Sequence, residues 1–286
     1  MAPQPRQIMT VSGTIQSLIA EGKATNSAQQ IQATMRIVVK IGTSLIAPGG
    51  RMDTKRMRSL VDQLDLIHHE YILVSSGAIA SGMSSLGITK RPRQLALMQA
   101  SAAVGQSRLM HTYERLFFGK KLVAQLLLSS DDFSSPVRYH NLCNTLSKLL
   151  RLKVLPIVNE NDSVSVRELE GAFGDNDELS ALVASAVRAD WLILLTDVEG
   201  FYRERGRNSK PQVARMVRRI TPAMEAFCNG RGQSGRGGMR SKLRAALRAT
   251  ASGIHVVIAN GKHPRAISLA LHQRLGTYFP PLKAKL

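Results

Sequence analysis

The chain has 286 residues, 44% of them hydrophobic, enough for one large buried core or two small ones. No apolar run approaches the roughly 20 residues that a membrane-spanning helix requires. The only two cysteines, Cys143 and Cys228, make neither a disulfide framework nor a zinc-type spacing, which fits a reducing compartment. The net charge is 39 − 20 = +19, and such an excess suits nucleic acid, an anionic membrane or anionic small substrates. Its distribution chooses among them. Residues 201–250 carry thirteen Lys/Arg against two acids, whereas residues 160–178 carry seven acids against Arg167 alone. A nucleic-acid module rarely has so acidic a centre, so nucleic acid is not the expected partner. An enzyme joining an anionic nucleotide to a substrate through a divalent cation uses both.

Residues 1–34 lack periodicity, are rich in Gln, Ser and Thr, and are expected to form a poorly ordered extension. Their scarcity of acids also fits a mitochondrial transit peptide, although such peptides are Arg-rich. From Arg36 onward, short apolar runs alternate with amphipathic stretches. The expected strands are Arg36–Ile41, Tyr71–Ser75, Leu122–Leu128, Val154–Val158, Trp191–Leu195 and His255–Ile258, continuously apolar as strands buried on both faces are. The expected helices are Lys55–His69, Arg93–Phe118, Tyr139–Leu150, Asp177–Arg188 and Met239–Ala251. This alternation implies an α/β fold, a three-layer αβα sandwich with a mostly parallel central sheet. Arg203–Lys210 reads as a basic surface loop.

Polar motifs follow several of the strands, where parallel sheets gather their ligands. Lys40-Ile41-Gly42-Thr43-Ser44 can set a cation and backbone N–H groups against a phosphate, or can be a solvated lysine before a turn. Ser75-Ser76-Gly77-Ala78 can receive an anion at a helix start, or can be a tight turn with a serine cap. Asn159-Glu160-Asn161-Asp162 can bind an amino group or orient a turn through side-chain hydrogen bonds. Gly174-Asp175-Asn176-Asp177-Glu178 opens a helix, where acids also serve as caps. Thr196-Asp197 can contact a nucleotide or cap a turn. Residues 229–242 hold five glycines, three arginines and Lys242, in composition a phosphate cradle or a flexible basic linker. Gly230, Gly232 and Gly235 match G-x-G-x-x-G, but no strand precedes them and no suitable acid follows, which excludes a dinucleotide fold. No Walker A motif and no G-x-S-x-G elbow occur. The seven histidines show no metal-ligand spacing.

Taken together, the stretches VVKIGTSL, VSSGAIASG, ALMQASAAVGQSRLM, LPIVNENDSV, FGDNDELSALVA, LLTDVEGFY and GRGGMRSKLRAA resemble the amino-acid kinase family, and within it the glutamate 5-kinases, over about Arg36 to Ser268. The resemblance implies a catalytic domain over residues 35–286, without the RNA-binding-like carboxyl-terminal domain of many bacterial members. It implies ATP-dependent phosphorylation of the L-glutamate side-chain carboxylate in a cytoplasmic enzyme of proline biosynthesis. Lys40 and Lys242 would neutralise the transferred phosphoryl group, with Asp177 holding both. Ser76, Gly77, Asp162 and Asn176 would bind glutamate. Lys40, Thr196, Asp197, Gly237, Gly238, Met239 and Lys242 would bind ATP, with Mg²⁺ on its phosphates and no dedicated protein metal site. Feedback inhibition by proline and a homodimer or homotetramer are implied as well. Ala172, Arg236 and Arg240 depart from the residues common in relatives. A sister kinase such as acetylglutamate kinase, or an inactive basic relative that binds nucleic acid, are the competing readings.

Overall fold

In a computed structural model, residues 34–65, 68–164, 176–203, 212–228 and 238–282 are described. The extension expected over residues 1–34 therefore lies outside them, save Thr34. Six parallel strands form the body of the sheet: β1 (Arg36–Ile41), β2 (Glu70–Val74), β3 (Val123–Leu128), β4 (Leu155–Glu160), β5 (Trp191–Thr196) and β8 (His255–Asn260). Strands β6 (Tyr202–Arg203) and β7 (Gln212–Val213) make a separate two-stranded ribbon, and β9 (Thr277–Phe279) joins the main sheet antiparallel to β8. The order across the sheet is β3-β4-β2-β1-β5-β8-β9.

The helices are α1 (Thr43–Ile46), α2 (Thr54–Asp65), α3 (Ala78–Ser85), α4 (Leu95–Phe117), α5 (Asp131–Ser134), α6 (Pro136–Arg151), α7 (Asn176–Ala186), α8 (Pro222–Phe227), α9 (Met239–Ala251) and α10 (Ala266–Leu271). Strand side chains alternate between faces, and the core divides accordingly. Val38, Ile72, Val74, Val158, Leu192 and Leu194 pack with Leu146 of α6, Val183 of α7 and Leu243 of α9. Ile37, Val39, Leu73, Ile157 and Ile193 pack with Leu60 of α2, Leu109 and Tyr113 of α4 and Ile267 of α10. Two cores on one sheet are the three layers expected. No described helix is long and apolar enough to cross a membrane.

Three features differ from the expected pattern. Strand β3 is not buried on both faces: it is the sheet edge, and only Leu128 in it is buried. The expected surface loop begins with a residue of β6, Arg203, which pairs with Gln212, and residues 204–211 lie outside the described residues. Strand β9 was not expected. Its outer side is covered in turn, because Val217 N–H donates to Tyr278 O and Tyr278 N–H donates to Arg215 O, so this edge presents few open backbone groups.

Helices α3 and α4 touch through backbone. A Cβ on Gly105 would sit 1.8 Å from the Ala78 carbonyl oxygen, and one on Gly82 would sit 1.7 Å from that of Ser101. Only glycine permits this approach. Gly105→Ala is expected to force the helices apart at a cost of about 1–3 kcal/mol or more. At roughly 2–4 °C per kcal/mol for a domain of this size, Tm in a thermal melt falls by several degrees. An unchanged Tm would mean that the contact relaxes freely.

Candidate active site

The chain leaves β1 toward β2 and β4 on one side, and later returns to β5 on the other. The carboxyl ends of β1, β2 and β5 therefore flank the switch point where open α/β sheets bind ligands. Register fixes what stands there. Lys40 pairs with Val74 on β2 and with Leu194 on β5, so Ser76 and Thr196 each project two residues beyond its rank. Val74 pairs with Val158, so Asn159 stands one residue beyond.

Lys40 shares its strand face with Val38 and points toward the layer of α7 and α9. There its Nζ lies 2.6 Å from Asp177 Oδ1, while Lys242 Nζ donates to Asp177 Oδ2 at 2.9 Å. Asp177 is fully buried, and the two lysines are 4% and 8% exposed. The Ser241 hydroxyl lies 2.8 Å from Asp177 Oδ2 and 2.9 Å from Gly238 O, one proton serving two acceptors. Burial opposes ionisation of Asp177, but the ammonium groups of Lys40 and Lys242, with their hydrogen bonds, outweigh it and hold the carboxyl well below the usual carboxylate range. Lys40 and Lys242 thus converge on one buried carboxylate, and two ammoniums held side by side in so dry a place are suited to meet an anion.

Beside it runs a chain of amides. Asn176, the first residue of α7, donates through Nδ2 to Ser76 Oγ at 3.0 Å and to Asn159 Oδ1 at 3.1 Å. Asn159 donates through Nδ2 to Gln106 Oε1 at 2.8 Å, and its Oδ1 also accepts from Glu160 N–H at 2.9 Å. Gln106 comes from the buried face of α4, which also carries Gly105, Leu109 and Tyr113. The Tyr113 hydroxyl, pushed up to about 12 by burial against an opposing hydrogen bond, meets Ser75 Oγ at 2.9 Å and ties this helix to the end of β2. The chain of amides thus passes over the rim of the sheet from the α4 layer to the α7 layer.

Of the expected site residues, the structure brings Lys40, Asp177 and Lys242 into direct contact, and likewise Ser76 and Asn176. Gly77 has φ +94° at the start of α3, a conformation natural to glycine. Asp162 lies half-buried in the turn after β4. Thr196 is buried at the end of β5, with its Oγ1 donating to Asp197 Oδ1 at 3.3 Å. Gly238 and Met239 stand at the start of α9, and Gly237 lies outside the described residues, as do Ala172 and Arg236. Arg240 is an exposed neighbour of Glu225, 3.9 Å away. Gln106 had no role in the sequence reading. A glutamine on a helix face occupied mostly by small, aliphatic and aromatic residues was the available signal.

Residues 35–260 match the amino acid kinase family. Glutamate 5-kinase of Caldanaerobacter subterraneus subsp. tengcongensis is 43% identical over 258 residues, covering 87% of this chain and 68% of that protein. Glutamate 5-kinase of Pseudomonas fluorescens is 42% identical over 265 residues, covering 90% and 71%. Among solved structures, Giardia lamblia carbamate kinase bound to AMP-PNP superposes with a TM-score of 0.60 at 19% identity, over 87% of this chain and 99% of that one. The T. acidophilum isopentenyl phosphate kinase product complex gives 0.57 at 17% identity, over 86% and 100%. At such identities these two bear on the fold alone. Family match and curated relatives agree that this chain belongs to the amino acid kinase family and, within it, to the glutamate 5-kinases.

Proposed function

We propose that the protein transfers the terminal phosphoryl group of ATP to the side-chain carboxylate of L-glutamate, giving L-glutamyl 5-phosphate, the first step of proline biosynthesis. The observation that carries this reading is the buried Lys40–Asp177–Lys242 group, two ammoniums converging on one carboxylate, adjoining the Ser76–Asn176 pair. A phosphoryl group fits the first and an amino acid the second. Lys40 and Lys242 oppose the charge on the phosphoryl group in transit, and Asp177 fixes the position of both. Ser76, Gly77, Asp162 and Asn176 hold glutamate. Thr196, Asp197 and the 237–242 segment hold the nucleotide, and Mg²⁺ would offset the charge of its phosphates.

The acceptor carboxylate, with an ordinary pKa of about 4.3, is already ionised at neutral pH. No general base is needed, and the residues contribute positioning and charge stabilisation. Proline feedback and a homodimer or homotetramer belong to the same reading, and are measured by proline titration of activity and by size-exclusion chromatography with light scattering.

The test is hydroxylamine trapping with ATP and Mg²⁺. An acyl phosphate reacts to a hydroxamate, so a glutamate-dependent signal is expected. A signal with acetylglutamate or aspartate in its place would keep the kinase and replace the substrate. Silence with every acid, from folded protein that binds ATP, would remove the activity.

A further inference from the structure

The chain of amides has a direction set by one backbone group. Glu160 N–H can only donate, so the atom of Asn159 that it meets is the oxygen. The other end of Asn159 is then the NH₂ group, and the atom of Gln106 that receives it is Oε1. The same oxygen of Asn159 faces Asn176, which must therefore turn its own NH₂ toward it and toward Ser76. Amide orientation is assigned from networks of this kind, and here the network has one solution. Two atoms are left over. Gln106 Nε2, a donor, and Asn176 Oδ1, an acceptor, are buried without a hydrogen-bond partner, and Gln106 is only 7% exposed. Buried polar side-chain atoms without partners are uncommon in native proteins.

The leftover donor and acceptor lie at the two ends of one chain, above the rim of β2 and β4. The backbone contact of Gly105 with Ala78 holds the neighbouring Gln106 against the start of α3, where Ser76 and Gly77 stand. Lys40 of the cationic group is on β1, at the far side of β2. Adjacent strands are about 4.8 Å apart, so an amino acid lying across them turns its reacting carboxylate toward β1 and its α-carbon toward β4. We propose that Gln106 is a substrate-recognition residue whose Nε2–H donates to the α-carboxylate, with Asn176 Oδ1 accepting from the α-ammonium and Asn159 as the positioning residue that turns both amides. This rests on glutamate being the substrate, and makes the protein a reader of the α-amino-acid end as well as of the side chain.

The experiment compares L-glutamate with its α-carboxamide, L-isoglutamine, in the hydroxamate assay, using wild type, Gln106→Met and Gln106→Glu. Wild type is expected to favour glutamate by roughly tenfold or more in kcat/KM, since a charged acceptor makes the stronger hydrogen bond. Gln106→Met keeps the length and loses the N–H. Its KM for glutamate is expected to rise roughly 10–100-fold, with kcat and KM for ATP near wild type. Gln106→Glu keeps the acceptor for Asn159 but sets a carboxylate against the α-carboxylate. It is expected to be the worse variant with glutamate and to shift the preference toward isoglutamine. A purely structural glutamine would give the reverse order, with Glu rescuing, and that result would overturn the proposal. If the variants fail to fold, wild type still decides it, because equal use of glutamate and isoglutamine would overturn it. Wild type silent with glutamate would overturn the proposed function and this inference together. An active wild type with an unchanged preference in Gln106→Glu would overturn this inference alone.

Discussion

Lys242→Ala is expected to lower kcat by two or more orders of magnitude, the scale seen when one preorganised electrostatic stabiliser is removed. Lys242 is buried in α9 and shares Asp177 with Lys40. On the proposed mechanism, deleting its ammonium removes one of the two positive charges set against the phosphoryl group in transit. The Lys40–Asp177 contact survives, and the variant is expected to fold. Because the lost interaction strengthens as charge moves in the transition state, kcat should fall more than KM for ATP rises. Steady-state kinetics in the hydroxamate assay measures both. A near-wild-type kcat would remove Lys242 from the mechanism, and a rise in KM alone would reduce it to a ground-state binding residue.

The body of the sheet was legible because parallel strands buried on both faces leave continuous apolar runs. Arg36–Ile41 begins and ends as expected, and the other five runs differ by one or two residues at their ends. Strand β3 has the same apolar run but stands at the edge, and composition does not distinguish a centre from an edge. Strand β9 has three residues and the β6–β7 ribbon two in each strand, too few for an alternation to register; tertiary pairing makes them strands. Lys40, Asp177 and Lys242 were legible as polar residues at strand ends and helix starts. Their meeting was implied by the family resemblance alone and not by composition or spacing, since Asp177 and Lys242 are 65 residues apart, and the register of the sheet and the packing of α7 against α9 unite them. Gln106 was hidden for a different reason. It occupies a core-facing position in a long helix, where periodicity predicts burial and says nothing of which polar neighbours burial supplies.

Asp177→Asn is expected to be more damaging than the loss of either lysine, because it removes the partner of both. Asp177 is fully buried between Lys40 and Lys242. Asparagine keeps the shape and drops the charge, which takes from two buried ammoniums the carboxylate they share. Breaking a buried pair in this way costs about 3–5 kcal/mol, or roughly 6–20 °C in Tm for a domain of this size. Repulsion drives the two ammoniums apart, so activity should fall by at least the hundredfold or so expected of Lys242→Ala. The pH dependence identifies the cause. A carboxyl held below its ordinary pKa contributes stability that is present above the unfolded value, near 3.9, and is lost as pH falls toward the folded value. The stability gap between wild type and Asp177→Asn, read from denaturant midpoints, should therefore be widest near neutral pH and narrow steadily below about pH 4. A gap that stays constant into acid would assign the loss to packing or hydrogen-bond geometry rather than to the charge that Asp177 supplies to the two lysines.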